Sequence, residues 1–411
     1  MRFAVVTFGS EGDTRPLAAL CRGLLDRGHE LKLFAEHSTL SLPQRLGIQC
    51  EALAGDVKTT LPIDDPGRDI RLAEVLRAIK AMNSLIADNT AAWMRTVSAY
   101  LRSADAILTS SLAASAGNAL GKELQKPVIG LFFQPITPTR EFSSPMLPPM
   151  NLPGWARRLT FRGVQRQTWK LCGKAAQAAR LDVFGTRTTQ RLSFDHPMLY
   201  GVSRALVAQP SDWPADHCIC GHWSRPVDGW EAPADLLAFL AAGEPPIYAG
   251  FGSPAAFIRK KVLAPLVEAI AGRRAVFSPG WSRIGSNVLP GNFFIARDVP
   301  HEWLFPRMSV AIHHGGAGTT HTAARAGIPQ VVLPIGADHF FWAHRVALQG
   351  AAPKYSRSAR FKAASIAAMI DFAQREETRE NARLLGERMS REDGVGTAIR
   401  EIERIVSAAG E

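Results

Sequence analysis

Apolar residues along this chain follow two alternating rhythms. Short runs rich in β-branched and aromatic residues, at 3–8 and 30–35, read as strands, and the helix-period pattern over 16–27 between them reads as a helix. The first run ends in Gly9-Ser10-Glu11-Gly12, so strand, glycine turn, helix and strand make one βαβ unit. The same order returns in the second half. A strand at 246–251 leads into Gly252-Ser253, then a helix over 255–271 and a strand at 274–278. Further strands are predicted at 106–109, 128–133, 293–296, 310–313 and 330–335.

Between the halves the pattern changes. Residues 134–154 hold six prolines, which interrupt helices and central strands. A polar helix is predicted over 155–181, and a Pro/Trp-rich stretch at 210–233 reads as an inter-domain connection. The expected architecture is α/β, with two doubly wound, Rossmann-like domains over 1–211 and 212–393. A last helix in 394–411 lacks a strand partner and is expected to return to the first domain.

With 411 residues, 46% hydrophobic and 21% charged, the chain can bury a large core, which excludes a wholly disordered protein. The run at 3–8 is too short for a secretory leader and Glu11 follows it. The longest uncharged stretch, 308–324, contains three His, three Gly and three Thr and is no membrane span. Five cysteines, an odd number, give no disulfide framework. The expectation is a soluble, cytoplasmic protein. Forty-eight basic against 37 acidic residues leave a net charge of +11, which favours anionic partners without choosing among them. Cys218-x-Cys220 puts both thiols on one face of a strand, and without further ligands at useful spacing it reads as a buried pair rather than a metal site.

The strongest chemical signal is His313-His314-Gly315-Gly316-Ala317-Gly318-Thr319-Thr320, between a strand and a helical pattern ending at Gly327-Ile328-Pro329. Glycines let a backbone approach a ligand closely, and a helix start offers unpaired N–H groups that suit an anion. His314 can donate to a phosphate oxygen, and the threonines add hydroxyls. A glycine-rich turn with a capping Thr is the alternative. Gly252-Ser253 is a second phosphate contact or an ordinary strand end. Asp338-His339 suits a polyhydroxylated ligand, although Asp338 is equally readable as a plain N-cap. In the first half Asp13 is either a general base facing a cleft or a turn or helix-cap carboxylate. Ser10 and His29 are weaker candidates.

Taken together, these residues resemble the GT-B fold, inverting, nucleotide-sugar-dependent enzymes of the UDP-glycosyltransferase superfamily. The branch most similar is the microbial one that includes glycopeptide-antibiotic, sterol and rhamnolipid glycosyltransferases. The resemblance runs over essentially the whole chain. Its marks are Gly9-Ser10-x-Gly12-Asp13, Phe251-Gly252-Ser253, Val299-Pro300-His301, the glycine-rich block, Ala326-Gly327-Ile328-Pro329-Gln330 and the Asp338 region.

This resemblance implies an N-terminal acceptor domain and a C-terminal nucleotide-sugar domain facing across a cleft. Asp13 is implied as the base that deprotonates an acceptor hydroxyl. Ser253, His314, Gly316, Ala317, Gly318 and Thr319 are implied diphosphate contacts. Val299 is implied to meet the nucleotide base through its backbone, and Trp281 to line the nucleotide site. Asp338 and His339 occupy the pair that holds the transferred sugar. Many relatives have Gln at the position of His339 and Glu at that of Thr322, which leaves the sugar, and UDP against dTDP, open.

The implied activity is hexosyl transfer to a hydroxyl of an apolar natural product, sterol or lipid. No D-x-D carboxylate pair occurs, so the helix start is expected to stabilise the leaving diphosphate with no metal and no cofactor. Alternatives are a GT-B sugar-nucleotide epimerase and a non-catalytic nucleotide-binding protein. Basic residues are spread along the chain without an aromatic-basic motif, so no nucleic-acid partner is expected. Ser10, Phe142 and Met146 are candidate acceptor-side residues. Arg158, Arg162, Arg166, Lys170 and Lys174 recur every four residues on the 155–181 helix. They form either a solvated face or a peripheral contact with a membrane, flanked by Trp155 and Trp169.

Overall fold

The structure, a computed structural model, describes residues 1–60, 72–186, 195–225, 229–252, 259–280, 289–355 and 361–410. Two parallel sheets organise the chain. The first contains β1 (Arg2–Val6), β2 (Glu30–Glu36), β3 (Cys50–Leu53), β4 (Ala106–Thr109), β5 (Val128–Phe132), β6 (Met198–Tyr200) and β7 (His217–Ile219). Its seven strands run in the order β3-β2-β1-β4-β5-β6-β7. The second contains β8 (Ile247–Gly250), β9 (Ala275–Ser278), β10 (Phe293–Ile295), β11 (Val310–His313) and β12 (Gln330–Val332). Its five strands run in the order β10-β9-β8-β11-β12.

Helices cover both faces of each sheet, so central strands are buried on both sides and read as continuous apolar runs rather than alternating ones. In the first sheet Val5 aligns with Leu33 on β2 and Leu108 on β4, and all three are buried. In the second, Ile312 aligns with Ala249 and Val331 in the same way.

Three strands were not expected from the pattern: β3, β6 and β7. Each has three or four residues, too few for a period to register. β7 changes the division of the chain. It pairs with β6 in the first sheet, so that sheet extends past residue 211, and part of the Pro/Trp-rich stretch is a strand rather than a connection. The crossing lies just beyond it. Gly221 adopts φ +110°, and a Cβ there would sit 2.8 Å from the Cα of Gly394, where the chain returns.

After that return the helix Gly394–Gly410 packs on the helix Glu11–Asp26 of the first half. An added Cβ at Gly23 would lie 2.6 Å from a Val395 methyl. Ile399 and Ile402 are buried in the same cluster as Leu17, Leu20 and Leu24, and Glu403 accepts from Arg27 and pairs with His29 at 2.9 Å each.

The 155–181 helix is longer than expected, Gly154–Thr168 continuing through a π turn at Trp169–Gly173 into Lys174–Phe184. Trp169 overlies Gly173, where a Cβ would be 2.1 Å from its ring.

Candidate active site

In both sheets the strand order reverses once, between β1 and β4 in the first and between β8 and β11 in the second. Loops leaving the carboxyl ends of such neighbours diverge and open a crevice. Ser10 and Asp13 lie at the first of these crevices, and Gly252 and the block His313–Thr320 at the second.

At the first, β1 runs into Gly9 and the helix Glu11–Asp26 begins. Ser10 is its N-cap, its hydroxyl accepting from the Gly12 N–H at 3.3 Å. Asp13 closes a capping box by accepting from the Ser10 N–H at 2.9 Å through Oδ2. It is thus a helix-cap carboxylate, but it is more than that. The Ser111 hydroxyl, from the turn after β4, donates to its other oxygen at 2.5 Å. Burial raises the Asp13 pKa against the lowering by these hydrogen bonds, and the negative charge of Asp338 raises it further. Gly9 is required by close approach: a Cβ there would lie 2.4 Å from Asp13 Oδ2.

Asp13 stands on the wall of a cavity of about 560 Å³. Its lining comes from the β1 and β4 turns (Ser10, Ser111, Leu112), from β5 and the segment after it (Phe132, Gln134, Ile136), and from the long helix (Phe161, Val164, Leu171). The lining is mostly apolar with a few hydroxyls and amides, which suits an apolar ligand oriented by a few polar groups. Met146 and Ser10 line it. Phe142 does not. Its ring is buried between Phe161 and Phe341, with centroids 6.3 and 5.5 Å away, and serves the core shared by the two halves.

At the second crevice, β11 ends in His313 and the helix Ala317–Arg325 starts from an N-cap at Gly316. The first backbone bond into this helix is Thr320 N–H to Gly316 C=O at 3.0 Å, which leaves the amides of Ala317, Gly318 and Thr319 facing outward. Gly318 has open space around it. Thr320 spends its hydroxyl on the Gly316 carbonyl at 2.9 Å.

The two histidines have separate roles. His313 is structural, bonded to Gln330 at 2.9 Å and accepting from the Gly315 N–H at 3.0 Å. His314 has a buried Nδ1 without a hydrogen-bond partner among the described residues. Burial first, then His339, His313 and His301, push its pKa well below the ordinary histidine value. A Cβ on Gly316 would lie 2.5 Å from its Nε2, and one on Gly252 would lie 3.1 Å from its Cε1. Gly252, with φ +57°, and Gly280, with φ +53°, also meet, since a Cβ on Gly280 would lie 2.3 Å from the Gly252 carbonyl oxygen. The ends of β8, β9 and β11 therefore converge on the His314 ring. Ser253 and Trp281, which follow these two glycines, lie outside the described residues. Val299 is half-buried and packs against the core cluster containing Tyr248 and Phe305.

Asp338 precedes the helix His339–Leu348 but makes no side-chain cap bond. Its Oδ2 accepts from the Trp342 indole at 2.7 Å instead, and burial raises its pKa. His339 stacks edge-on against His314 at 4.7 Å between centroids, and burial holds its pKa at about 4. Ser111 and Trp342 were both missed by sequence reasoning. Trp342 carried a signal, since it lies one helical turn after Asp338; Ser111 carried none.

A family model described as "Erythromycin biosynthesis protein CIII-like, C-terminal domain" matches residues 276–397. O-mycaminosyltylonolide 6-deoxyallosyltransferase of Streptomyces fradiae is 30% identical over 421 residues, covering 98% of this chain and 97% of that protein. The chain belongs to the UDP-glycosyltransferase superfamily. A sterol 3-beta-glucosyltransferase of Aspergillus terreus is also 30% identical to this glycosyltransferase, over 98% of its chain but 30% of the fungal protein's length. Among solved structures, the glycotransferase of kitacinnamycin superposes with a TM-score of 0.72 at 18% identity, covering 98% of this chain and 99% of the other. The spinosyn rhamnosyltransferase SpnG complexed with thymidine diphosphate gives 0.64 at 21%, covering 98% and 100%. Both likenesses establish the GT-B fold.

Elsewhere on the glycosyltransferase, Arg158, Arg162, Arg166, Lys170 and Lys174 are all exposed. None forms an ion pair with another described residue. Trp155 is 67% exposed beside them and Leu159 45%, whereas Trp169 faces the interior rather than the surface. Cys218 is half-buried and Cys220 buried at the edge of the first sheet. Among the described residues no group of His, Cys, Asp and Glu is arranged to hold a metal ion, and no helix is long and apolar enough to cross a membrane.

Proposed function

We propose that this glycosyltransferase moves a hexose from a nucleoside-diphosphate sugar to a hydroxyl of an apolar acceptor, in one displacement with inversion and without a metal ion. The observation that carries it is the placement of Asp13 on the wall of the apolar cavity, near enough to Asp338 of the other half for their charges to interact.

The N-terminal half holds the acceptor, and Asp13 takes the proton of its hydroxyl as the oxygen attacks the anomeric carbon. The bond from that carbon to the diphosphate oxygen breaks on the opposite face. The departing charge falls on the amides of Ala317, Gly318 and Thr319, on Gly316 at the N-cap, and on His314. These dipoles are fixed before the reaction begins, which is what replaces a cation. Asp338 and His339 hold the sugar hydroxyls, while Ser253, Trp281 and the Val299 backbone complete the nucleotide site.

The acceptor is a sterol-like or macrolide-like molecule with a free hydroxyl. The names of the relatives support this class, as do the size and apolar lining of the cavity. Thymidine diphosphate bound to SpnG supports a dTDP-sugar as one donor to test, beside UDP-sugars. The enzyme works in the cytoplasm, and the exposed basic face of the long helix meets an anionic membrane from which a lipid-like acceptor is drawn.

The test is a panel of UDP- and dTDP-hexoses against sterol and macrolide aglycones, run in EDTA and read by mass spectrometry and by the anomeric configuration of the product. A β-linked product from an α-donor, formed at full rate in EDTA, is expected. Absence of transfer across the panel, or activity lost with EDTA and restored by a divalent ion, overturns the scheme.

A further inference from the structure

We propose that Ser111 is a positioning residue for Asp13, fixing its carboxylate so that one defined oxygen takes the acceptor proton. The proposal rests on the reading of Asp13 as the general base.

Three observations converge. The Ser111 hydroxyl donates to Asp13 Oδ1 at 2.5 Å, while Oδ2 already receives the Ser10 N–H at 2.9 Å and the Ser10 hydroxyl at 3.3 Å. Oδ2 is thereby saturated, and Oδ1, with one donor and a second lone pair free, is the atom left to accept a proton. Ser111 also adopts φ +52°, a left-handed conformation that a non-glycine residue holds only where its surroundings impose it. And Ser111, like Asp13, lines the cavity, at the point where the strand order reverses between β1 and β4. The strained backbone turns its hydroxyl toward the carboxylate from a strand that only topology brings alongside.

The consequence is a direction in pH. A donor to the ionised form favours it, so Ser111 opposes the burial and the Asp338 charge that raise the Asp13 pKa. The Ser10 N–H and hydroxyl act in the same direction as Ser111, and among the described residues no cation joins them. Arg15, on the same helix, pairs with Glu11 at 3.6 Å and its positive charge acts on His301, lowering the pKa there, and the turn after β4 contributes only Ser110 and Ser111. Without the Ser111 hydroxyl Asp13 stays protonated to higher pH.

The experiment is the pH profile of kcat/KM for the acceptor in Ser111→Gly and Ser111→Ala. Glycine accepts the positive φ without strain, so Ser111→Gly removes the hydroxyl while keeping the turn, and its melting temperature is a check on folding. Both variants are expected to move the acid limb upward by roughly one pH unit, a tenfold loss below the limb, with part of the activity recovered at alkaline pH. A Ser111→Gly enzyme with the wild-type limb overturns the proposal. Asp13→Asn, run alongside, separates the two ideas. If it is inactive while Ser111→Gly keeps the wild-type profile, only the role of Ser111 falls; if it turns over normally, the base assignment falls with it.

Discussion

Asp13 and Asp338 come from opposite halves of the chain, yet the charge of one raises the pKa of the other. Each carboxylate is anchored on its own side: Asp13 by Ser10 and Ser111, Asp338 by the fully buried Trp342. Two carboxylates whose charges oppose each other are costly to keep ionised together unless something between them offsets the cost. A sugar with one carboxylate beside its attacking hydroxyl and another on its ring hydroxyls fits that arrangement.

Asp13→Asn therefore separates chemistry from binding. The amide keeps the shape and the capping-box acceptor but cannot take a proton. Turnover is expected to fall by roughly a hundredfold to ten-thousandfold, while thymidine or uridine diphosphate, titrated calorimetrically, binds as to wild type. Turnover within threefold of wild type would remove Asp13 from the mechanism.

How much of this was legible beforehand follows from the kind of signal each residue leaves. Asp13 and His314 stand beside glycines whose spacing is itself unusual, and the structure shows why: Gly9 and Gly316 have no room for a side chain against Asp13 and His314. A close approach is written locally in the sequence. Ser111 lies 98 residues from Asp13 and meets it only because β4 pairs with β1, an order no periodicity reveals. The Phe142 error has a similar origin. Its proline-rich segment was readable as irregular, but an apolar residue in an irregular segment can face a cleft or a core, and Phe341, its neighbour in space, belongs to the other half. β6 and β7 are too short for a period to register, which is why the pattern does not announce that the first sheet reaches past residue 211.

Gly316→Ala tests the fit around His314. The new methyl would fall 2.5 Å from Nε2, so either the imidazole or the start of the helix must shift. Alanine is also a poorer N-cap than glycine by up to about 1 kcal/mol, so a small drop in melting temperature is expected beside the larger effect, a loss of diphosphate affinity of about tenfold or more for a displaced charged contact. Unchanged nucleotide affinity would show that His314 does not touch the diphosphate.

Nucleotide binding should also carry protons with it. The ring of His314 is neutral in the empty protein because burial and three neighbouring histidines disfavour its charge. A diphosphate beside it favours the charged form and raises its pKa, so between the empty and occupied values binding takes up a proton and affinity rises as pH falls. The slope is at most about tenfold per pH unit for one group. Asp13 and Asp338, both raised in pKa, push in the same direction by losing charge in acid. His314→Gln distinguishes them. Calorimetry in buffers of different ionisation enthalpy is expected to show proton uptake in the wild type and less of it in the variant, and equal uptake in both would place the proton elsewhere.

The long helix makes the last prediction. Its inner face lines the cavity through Phe161, Val164 and Leu171, and its outer face presents five cations with Trp155 exposed at the first turn. No acidic residue occurs between Gly154 and Arg180 to offset them. Near an anionic surface each cation is worth about 1 kcal/mol, so even a partly engaged face binds measurably, and an indole at its edge suits the interface. In flotation with phosphatidylserine-containing vesicles at about 0.1 M salt the protein is expected to rise with the lipid, and not with neutral vesicles. Replacing Arg162, Arg166 and Lys170 together by Glu should abolish flotation while leaving transfer to a soluble aglycone intact, because none of the three lines the cavity. If the wild type stays at the bottom of the gradient, the face is merely solvated; if the triple variant floats equally well, the membrane is met by another surface.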